Sequence, residues 1–407
     1  MLRHPLIYDW NRTSEVTARR VMLDDETLRD GLQSPSVQTP SIEQKIRLLH
    51  LMDQLGIDTA DIGLPGAGPH VFEDVERLAR EIVESRLTIR PNCAARTLEA
   101  DIKPIVQVSH RVGIPIECCA FIGSSPIRRY TEDWTIDQLL KRTEEAVSFA
   151  VHEGIPVMYV TEDTTRADPE TLRLLYSTAI RAGATRVCVA DTVGHATPAG
   201  AAAVVRFIQS VVDECGGGIG IDWHGHRDRG LDVMNAIAAM EAGATRLHGT
   251  AIGIGERVGN TPMDLLLVNL VLMGFISRDL TKLGAYCALA SEACGVPIPA
   301  NYPVMGRDAF RTATGVHAAA VIKAMRKRDA ALVDAVYSGV PARMVGREQE
   351  IEVGPMSGRS NVIHWLETRG LPATDEIVDR VFERAKNATH VLTEEEILEE
   401  LRRDSGH

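Results

Sequence analysis

Two histidines two positions apart, in Asp222-Trp223-His224-Gly225-His226-Arg227-Asp228, are the chemistry-bearing feature with the sharpest spacing in this chain. Side chains alternate along a strand, so His224 and His226, at the end of an apolar run that reads as one, present both imidazoles to the same side. Two nitrogens so placed make a claw for a divalent metal. A bare His-x-His is as readily a structural pair, so its company decides. That company is polar and recurrent. Asp25-Glu26-Thr27-Leu28-Arg29-Asp30-Gly31, Glu162-Asp163-Thr164-Thr165-Arg166, Asp191-Thr192 and Gly253-Ile254-Gly255-Glu256-Arg257-Val258-Gly259-Asn260 each follow an apolar run.

Those runs are the elements that must position the polar groups. From Arg20 to Asn260, short β-branched segments alternate with longer amphipathic ones. Eight strands are expected: Val21–Asp25, Thr59–Gly63, Leu87–Pro91, Pro115–Ile122, Pro156–Glu162, Arg186–Asp191, Gly218–His224 and Arg246–Ile252. Ser41, Thr135 and Thr197 read as helix N-caps, the last followed by Pro198 at the first helical position. Eight βα units predict a (β/α)8 TIM barrel of the α/β class, whose chemistry gathers at the carboxyl ends of its strands. A doubly wound open sheet would carry a Gly-rich turn after its first strand, and none follows Asp25. Past Asn260 the alternation stops and small, mostly helical C-terminal subdomains are expected. The predicted organisation is an N-terminal extension over 1–19, the barrel over 20–275, a helical segment carrying His317 over 276–344, and a small subdomain over 345–407.

With 407 residues, 44% of them hydrophobic, the chain can bury a large core. Its net charge of −12, with cations scattered, argues against a nucleic-acid or anionic-membrane surface. Seven cysteines without a CxxC spacing suggest reduced thiols. Cys118 and Cys119 are adjacent on an expected strand, where their side chains diverge. No apolar leader opens the chain and no run reaches the length of a membrane span, so a cytoplasmic protein is expected.

Leu28-Arg29-Asp30-Gly31, His224-x-His226, Gly253-Ile254-Gly255-Glu256-Arg257-x-Gly259-Asn260, Glu162-Asp163-x-x-Arg166, Asp191-Thr192-Val193-Gly194, Gly315-x-His317 and Ser357-Gly358-Arg359, in their order, resemble the DRE-TIM metallolyase superfamily. More narrowly, they are similar to its 2-isopropylmalate, homocitrate and citramalate synthases. The resemblance implies a metal-dependent condensation of acetyl-CoA with a 2-oxo acid, followed by thioester hydrolysis. It implies Asp30, His224, His226 and Asn260 as ligands of Mg2+, Mn2+ or Zn2+, and Arg29 as the group that holds the developing alkoxide. Thr192 would bind the oxo-acid carboxylate. The acetyl methyl must lose a proton, and Glu162 and His317 are the two candidate bases. By resemblance, His317 serves the partner subunit of a homodimer with shared sites, and Tyr337 is a further candidate to line the same cap. The related 3-hydroxy-3-methylglutaryl-CoA lyases run the reverse chemistry, but they usually carry a Cys-containing loop where this chain has Gly-Ile-Gly-Glu-Arg. No segment as long as a leucine-responsive regulatory domain follows Ser357, so inhibition through one is not expected.

Several positions depart from the family pattern. Asp61 stands in place of a glutamate, one methylene shorter, so that supporting Arg29 would need a water or a shift. Leu32 is a lyase-like choice, Cys119 and Arg128 stand where histidines are frequent in isopropylmalate synthases, and Arg227 replaces an asparagine. Cys119 and Arg128 are accordingly candidate substrate-binding residues. Arg128 or Arg129 would pair with a second acidic group on the substrate, hold CoA phosphate, or lie in solvent.

Overall fold

Short runs of Val, Ile, Ala and Cys buried on both faces are what a parallel strand beneath a layer of helices requires. The computed structural model describes residues 4–11 and 21–403. Its strands are β1 (Met22–Asp25), β2 (Thr59–Asp61), β3 (Arg90–Arg96), β4 (Glu117–Gly123), β5 (Val157–Glu162), β6 (Arg186–Asp191), β7 (Gly220–Gly225) and β8 (Arg246–Gly249). Each pairs in parallel with the next, and β8 returns to β1 with Met22 opposite Arg246 and Asp25 opposite Gly249. Closure leaves no sheet edge, and the fold is the expected TIM barrel. The three expected caps are present: Ser41 and Thr135 each form a reciprocal box with the glutamine three residues on, and Thr197 accepts from Gly200 N.

Two strands differ from expectation. β3 was expected over Leu87–Pro91, whereas Asp53 Oδ1 accepts from Thr88 N at 2.7 Å and Ile89 N at 2.9 Å, which holds that stretch as the approach turn. The strand itself uses Cys93, Ala94 and Ala95, residues with little β preference that fit because they are buried between β2 and β4. Asn92 therefore lies within the strand and not at its end. β8 stops at Gly249, short of Ile252, because Thr250 N turns to Thr261 O at 3.0 Å and the chain folds back on itself. Ile252 then takes a left-handed φ of 48°, with its N–H held by Asp264 Oδ1 at 2.9 Å.

The described residues divide into two compact units, 21–297 and 4–11 with 298–403. The first runs past the expected boundary at residue 275, because helix Leu283–Cys294 packs against helix Ile42–Gln54 and Tyr286 donates its hydroxyl proton to Asp25 Oδ2. In the second, helices Gly315–Arg326, Arg359–Glu367, Asp375–Asn387 and Glu394–Arg402 accompany a two-stranded parallel ribbon, Arg311–Thr312 with Glu350–Ile351. Its core is Val362, Trp365, Leu366, Val378, Val381 and Ile397. Residues 1–3 and 12–19 of the expected N-terminal extension lie outside the described residues.

The barrel interior is not wholly apolar. Strand alternation turns Arg246 and His248 of β8, Asp222 and His224 of β7, and Glu117 and Cys119 of β4 inward. Arg246, 1% exposed, donates to Asp222 Oδ2 and Glu117 Oε2, both at 2.6 Å, and Arg186 Nε reaches Asp222 Oδ1 at 2.7 Å. Burial raises the Asp222 carboxyl, but Arg246 and Arg186 outweigh it and hold the group well below the usual range. Arg246→Met should therefore cost roughly 3 kcal/mol in a urea titration, since it removes the buried cation shared by Asp222 and Glu117 and leaves Asp222 to Arg186 and His248. A loss under about 1 kcal/mol would mean that water reaches the two carboxylates.

Candidate active site

Two segments zip together above the carboxyl ends of β7 and β8. His226 and Asn260 form an isolated antiparallel bridge, Thr261 N donates to Gly225 O at 2.9 Å, and Arg227 N donates to Gly259 O at 3.0 Å. Glycine is needed where the loop crosses itself. A Cβ on Gly259 would lie 1.8 Å from Gly253 O, and one on Gly255 would lie 2.2 Å from Asn260 Nδ2. The Gly-Ile-Gly-Glu-Arg-Val-Gly-Asn spacing thus delivers Asn260 to His226.

Asp30 opens a 3-10 turn beyond β1 and faces the two histidines. His224 Nε2 lies 3.2 Å from His226 Nε2 and 3.2 Å from Asp30 Oδ2, which is 3.6 Å from His226 Nε2. Donor atoms around one cation with bonds of about 2.1 Å stand roughly 3.0–3.4 Å apart, so this convergence has the right size. Asp30 Oδ1, His226 Nδ1 and Asn260 Oδ1 are buried without a hydrogen-bond partner among the described residues. The Asn260 amide donates from Nδ2 to Ile254 O at 3.3 Å, which turns its carbonyl the other way. Carboxylate, two imidazoles and an amide oxygen fit a divalent ion of the Zn, Mn or Mg kind.

The electrostatics are consistent with that fit. Burial and the neighbouring His224 cation push His226 down to about 4, so it is neutral at pH 7. Burial opposes charge on His224, but Glu26 and Asp30 outweigh it and lift the imidazole to about 10. The proton so retained is the one that metal binding must release. Burial likewise raises Glu26, yet Arg29 and His224 hold its carboxyl well below the usual range.

Arg29 sits among three acids. Its Nε donates to Asp61 Oδ2 at 2.8 Å, one terminal nitrogen donates to Glu26 Oε2, and the other is 3.4 Å from Asp30 Oδ2. The expected need for a water or a shift at Asp61 is thereby corrected. The shorter side chain reaches Arg29 directly, while its other oxygen accepts from Gly63 N at 3.1 Å. Burial pushes the Asp61 carboxyl up to about 7 despite Arg29.

A cavity of about 200 Å³ opens over these groups. Its floor is apolar: Ala94, Cys119, Phe121, Met158, Val160 and Cys188. Cys119 donates its thiol proton to Asn92 Oδ1 at 3.3 Å, and both it and Cys118 are free thiols. Thr192 also lines the cavity. Its Oγ1 accepts from Asp163 N at 2.8 Å, which leaves the hydroxyl proton to donate. Glu162 stands on the same wall, its carboxyl raised by burial.

Two candidates are not brought to this cavity by the geometry of the barrel unit. Arg128 pairs with Glu132 at 3.2 Å and lies 5.7 Å over the Trp134 ring, outside the cavity lining. His317 belongs to the second unit, where its ring stacks on Tyr337 at 4.1 Å. Conversely, Glu26 and His248 line the cavity and were not singled out from the sequence. Their signal was available: Glu26 stands in the polar stretch that follows the first apolar run, and Arg246 and His248 are polar residues two apart in a run read as apolar.

The chain matches the HMGL-like family model over residues 20–290. It is 32% identical over 370 residues to a protein of Methanopyrus kandleri named "Probable 2-isopropylmalate synthase", covering 90% of this chain and 69% of that one. It is 34% identical over 373 residues to the homocitrate synthase AksA of the same organism, covering 90% and 87%. The solved 3-hydroxy-3-methylglutaryl-CoA lyase of Brucella melitensis shares the fold, with a TM-score of 0.56, 17% identity, and coverage of 68% of this chain and 99% of that one. No helix among the described residues is long and apolar enough to cross a membrane. The closed barrel, the Asp30, His224 and His226 donors at its mouth and the match over residues 20–290 agree: the chain belongs to the HMGL-like family of the DRE-TIM superfamily.

Proposed function

We propose that this protein is an acyltransferase that condenses acetyl-CoA with a 2-oxo acid and hydrolyses the thioester, giving a 2-alkylmalate-type product. The observation that carries this reading is the placement of Arg29 beside the Asp30, His224 and His226 donors, above an apolar floor and facing Glu162. Relatives named as synthases, aligned over 90% of the chain, support the condensing direction over the lyase. Asp30, His224, His226 and Asn260 would hold the divalent ion, which when bound supplies Lewis acidity at the ketone.

The remaining work falls to the chain's own groups. Arg29 has five N–H donors, of which two are bonded to Asp61 and Glu26 while a third nitrogen lies 3.4 Å from Asp30, so donors remain for the oxygen that becomes an alkoxide. Thr192 donates to the oxo-acid carboxylate. Glu162, with its carboxyl raised by burial, takes the methyl proton of the thioester. His317 is the second candidate base, supplied by the partner in a homodimer as the family resemblance implies.

The floor favours an uncharged side chain on the oxo acid. A second substrate carboxylate would lie against Ala94, Met158, Val160 and Cys188, near Glu162 and Glu256, while Arg29 is already flanked by three acids. Desolvating it where the nearest cations, Arg29 and the Arg128 that acts on Glu162, are already paired with carboxylates costs several kcal/mol. Thiol release from acetyl-CoA by the metal-loaded protein tests this. Pyruvate or 2-oxoisovalerate should give kcat/KM at least about tenfold above 2-oxoglutarate and oxaloacetate, since tenfold is only about 1.4 kcal/mol. The opposite order would reverse the substrate choice and leave the reaction class standing. Silence with every 2-oxo acid would overturn the condensation itself.

A further inference from the structure

Glu26 is where the two halves of the site meet. It follows β1, is 3% exposed and turns inward. Its Oε1 accepts from Nδ1 of His224 at 2.9 Å and from Nδ1 of His248 at 2.6 Å, while Oε2 accepts from Arg29. An ionised carboxylate has only lone pairs to offer, so each nitrogen facing it carries a hydrogen. That assigns the tautomer of His224 with metal bound: Nδ1 protonated, and the Nε2 lone pair aimed at Asp30 and His226.

His248 is fixed from its other side. Its Nε2 lies 3.0 Å from Asp222 Oδ2, so both of its nitrogens face carboxylates and both carry protons. Asp222 is in turn held by Arg246 and Arg186, and Arg246 by Glu117. A continuous buried chain of alternating charge therefore backs the metal donors down the barrel interior. Glu26 is its last member before the site.

We propose that Glu26, braced by His248, is a positioning residue that fixes the ring and tautomer of His224 for the divalent ion and simultaneously aims the Arg29 guanidinium. This rests on the reading that Asp30, His224 and His226 hold that ion. Glu26, His224 and His248 could alternatively be read as a ligand group themselves. Geometry favours support over ligation, because Glu26 already accepts from three donors and His224 reaches Asp30 and His226 through its other nitrogen.

The test compares the full-length wild type with Glu26→Gln and Asp30→Asn, the latter as the ligand-loss reference. Zn2+ affinity is read by competition with a chromogenic chelator, and Co2+ loading by its visible absorption. Glu26→Gln keeps shape but must set an amide N–H against Arg29 or the two imidazoles. It should weaken Zn2+ binding about 10- to 100-fold, retain the metal stoichiometry of the wild type and leave the Co2+ band positions unchanged. Asp30→Asn should lose more affinity and shift the bands. Should Glu26→Gln fail to fold, His248→Asn, which removes the brace on Glu26 together with the contact to Asp222, carries the same test with a drop of about three- to tenfold. Wild-type affinity in the folded variant would overturn the proposal. Shifted bands with a loss matching Asp30→Asn would make Glu26 a ligand and overturn its positioning role. A wild type that takes up no divalent ion would remove the metal reading and the proposal with it.

Discussion

Replacing His226 with alanine should leave a folded protein that retains almost no divalent metal and turns over about 10⁴-fold more slowly, a loss of roughly 5.5 kcal/mol at the transition state. The fold should survive because His226 spends nothing on the scaffold. Among the described residues its Nδ1 has no hydrogen-bond partner, and its Nε2 faces His224 and Asp30. The backbone that carries it is held independently, by His226 N to Asp191 O at 3.2 Å and by the zipper to Gly259 and Thr261. Metal content, circular dichroism and thiol release on the same preparation are the measurements. Near wild-type turnover in the variant, or in metal-stripped wild type, would refute the ligand assignment and leave only the barrel.

Arg29→Lys should lower kcat by about 10³-fold with a smaller change in KM, in the range found when a preorganised donor to a developing oxyanion is lost. Lysine preserves the charge that Glu26, Asp30 and Asp61 require, so the three buried carboxylates keep a cation. What it lacks is the planar fork. An ammonium offers three donors from one point and cannot satisfy three acids while presenting further hydrogens to substrate. If Arg29 served structure alone, the Arg29→Lys variant would show a lower unfolding midpoint with kcat near normal at saturating substrate. That pattern would remove Arg29 from the chemistry.

Much of the fold was legible because its signals are local. Eight apolar runs separated by amphipathic stretches, with caps at Ser41, Thr135 and Thr197, need only short-range periodicity and capping to be read. The third strand was misplaced because Cys93-Ala94-Ala95 has weak intrinsic preference for strand and acquires it only between two neighbours. Among the candidate site residues, His224 lies on β7 and His226 just past its end, two positions on in extended backbone, so their common face follows from the local chain. Arg128 was harder. Nothing near it in sequence says that its guanidinium pairs with Glu132 and lies over Trp134.

The sequence by itself determined the barrel, its polar mouth and the donor types that could hold a cation, since strand period, turn chemistry and ligand identity are properties of a few adjacent residues. Only the tertiary structure decided which side chains meet across the interior. Asp61 reaches Arg29 across 32 positions, and Glu26 meets His224 and His248 across 198 and 222. Those encounters depend on the register in which β8 closes on β1, and that register is set by packing around the whole ring, not by any one strand.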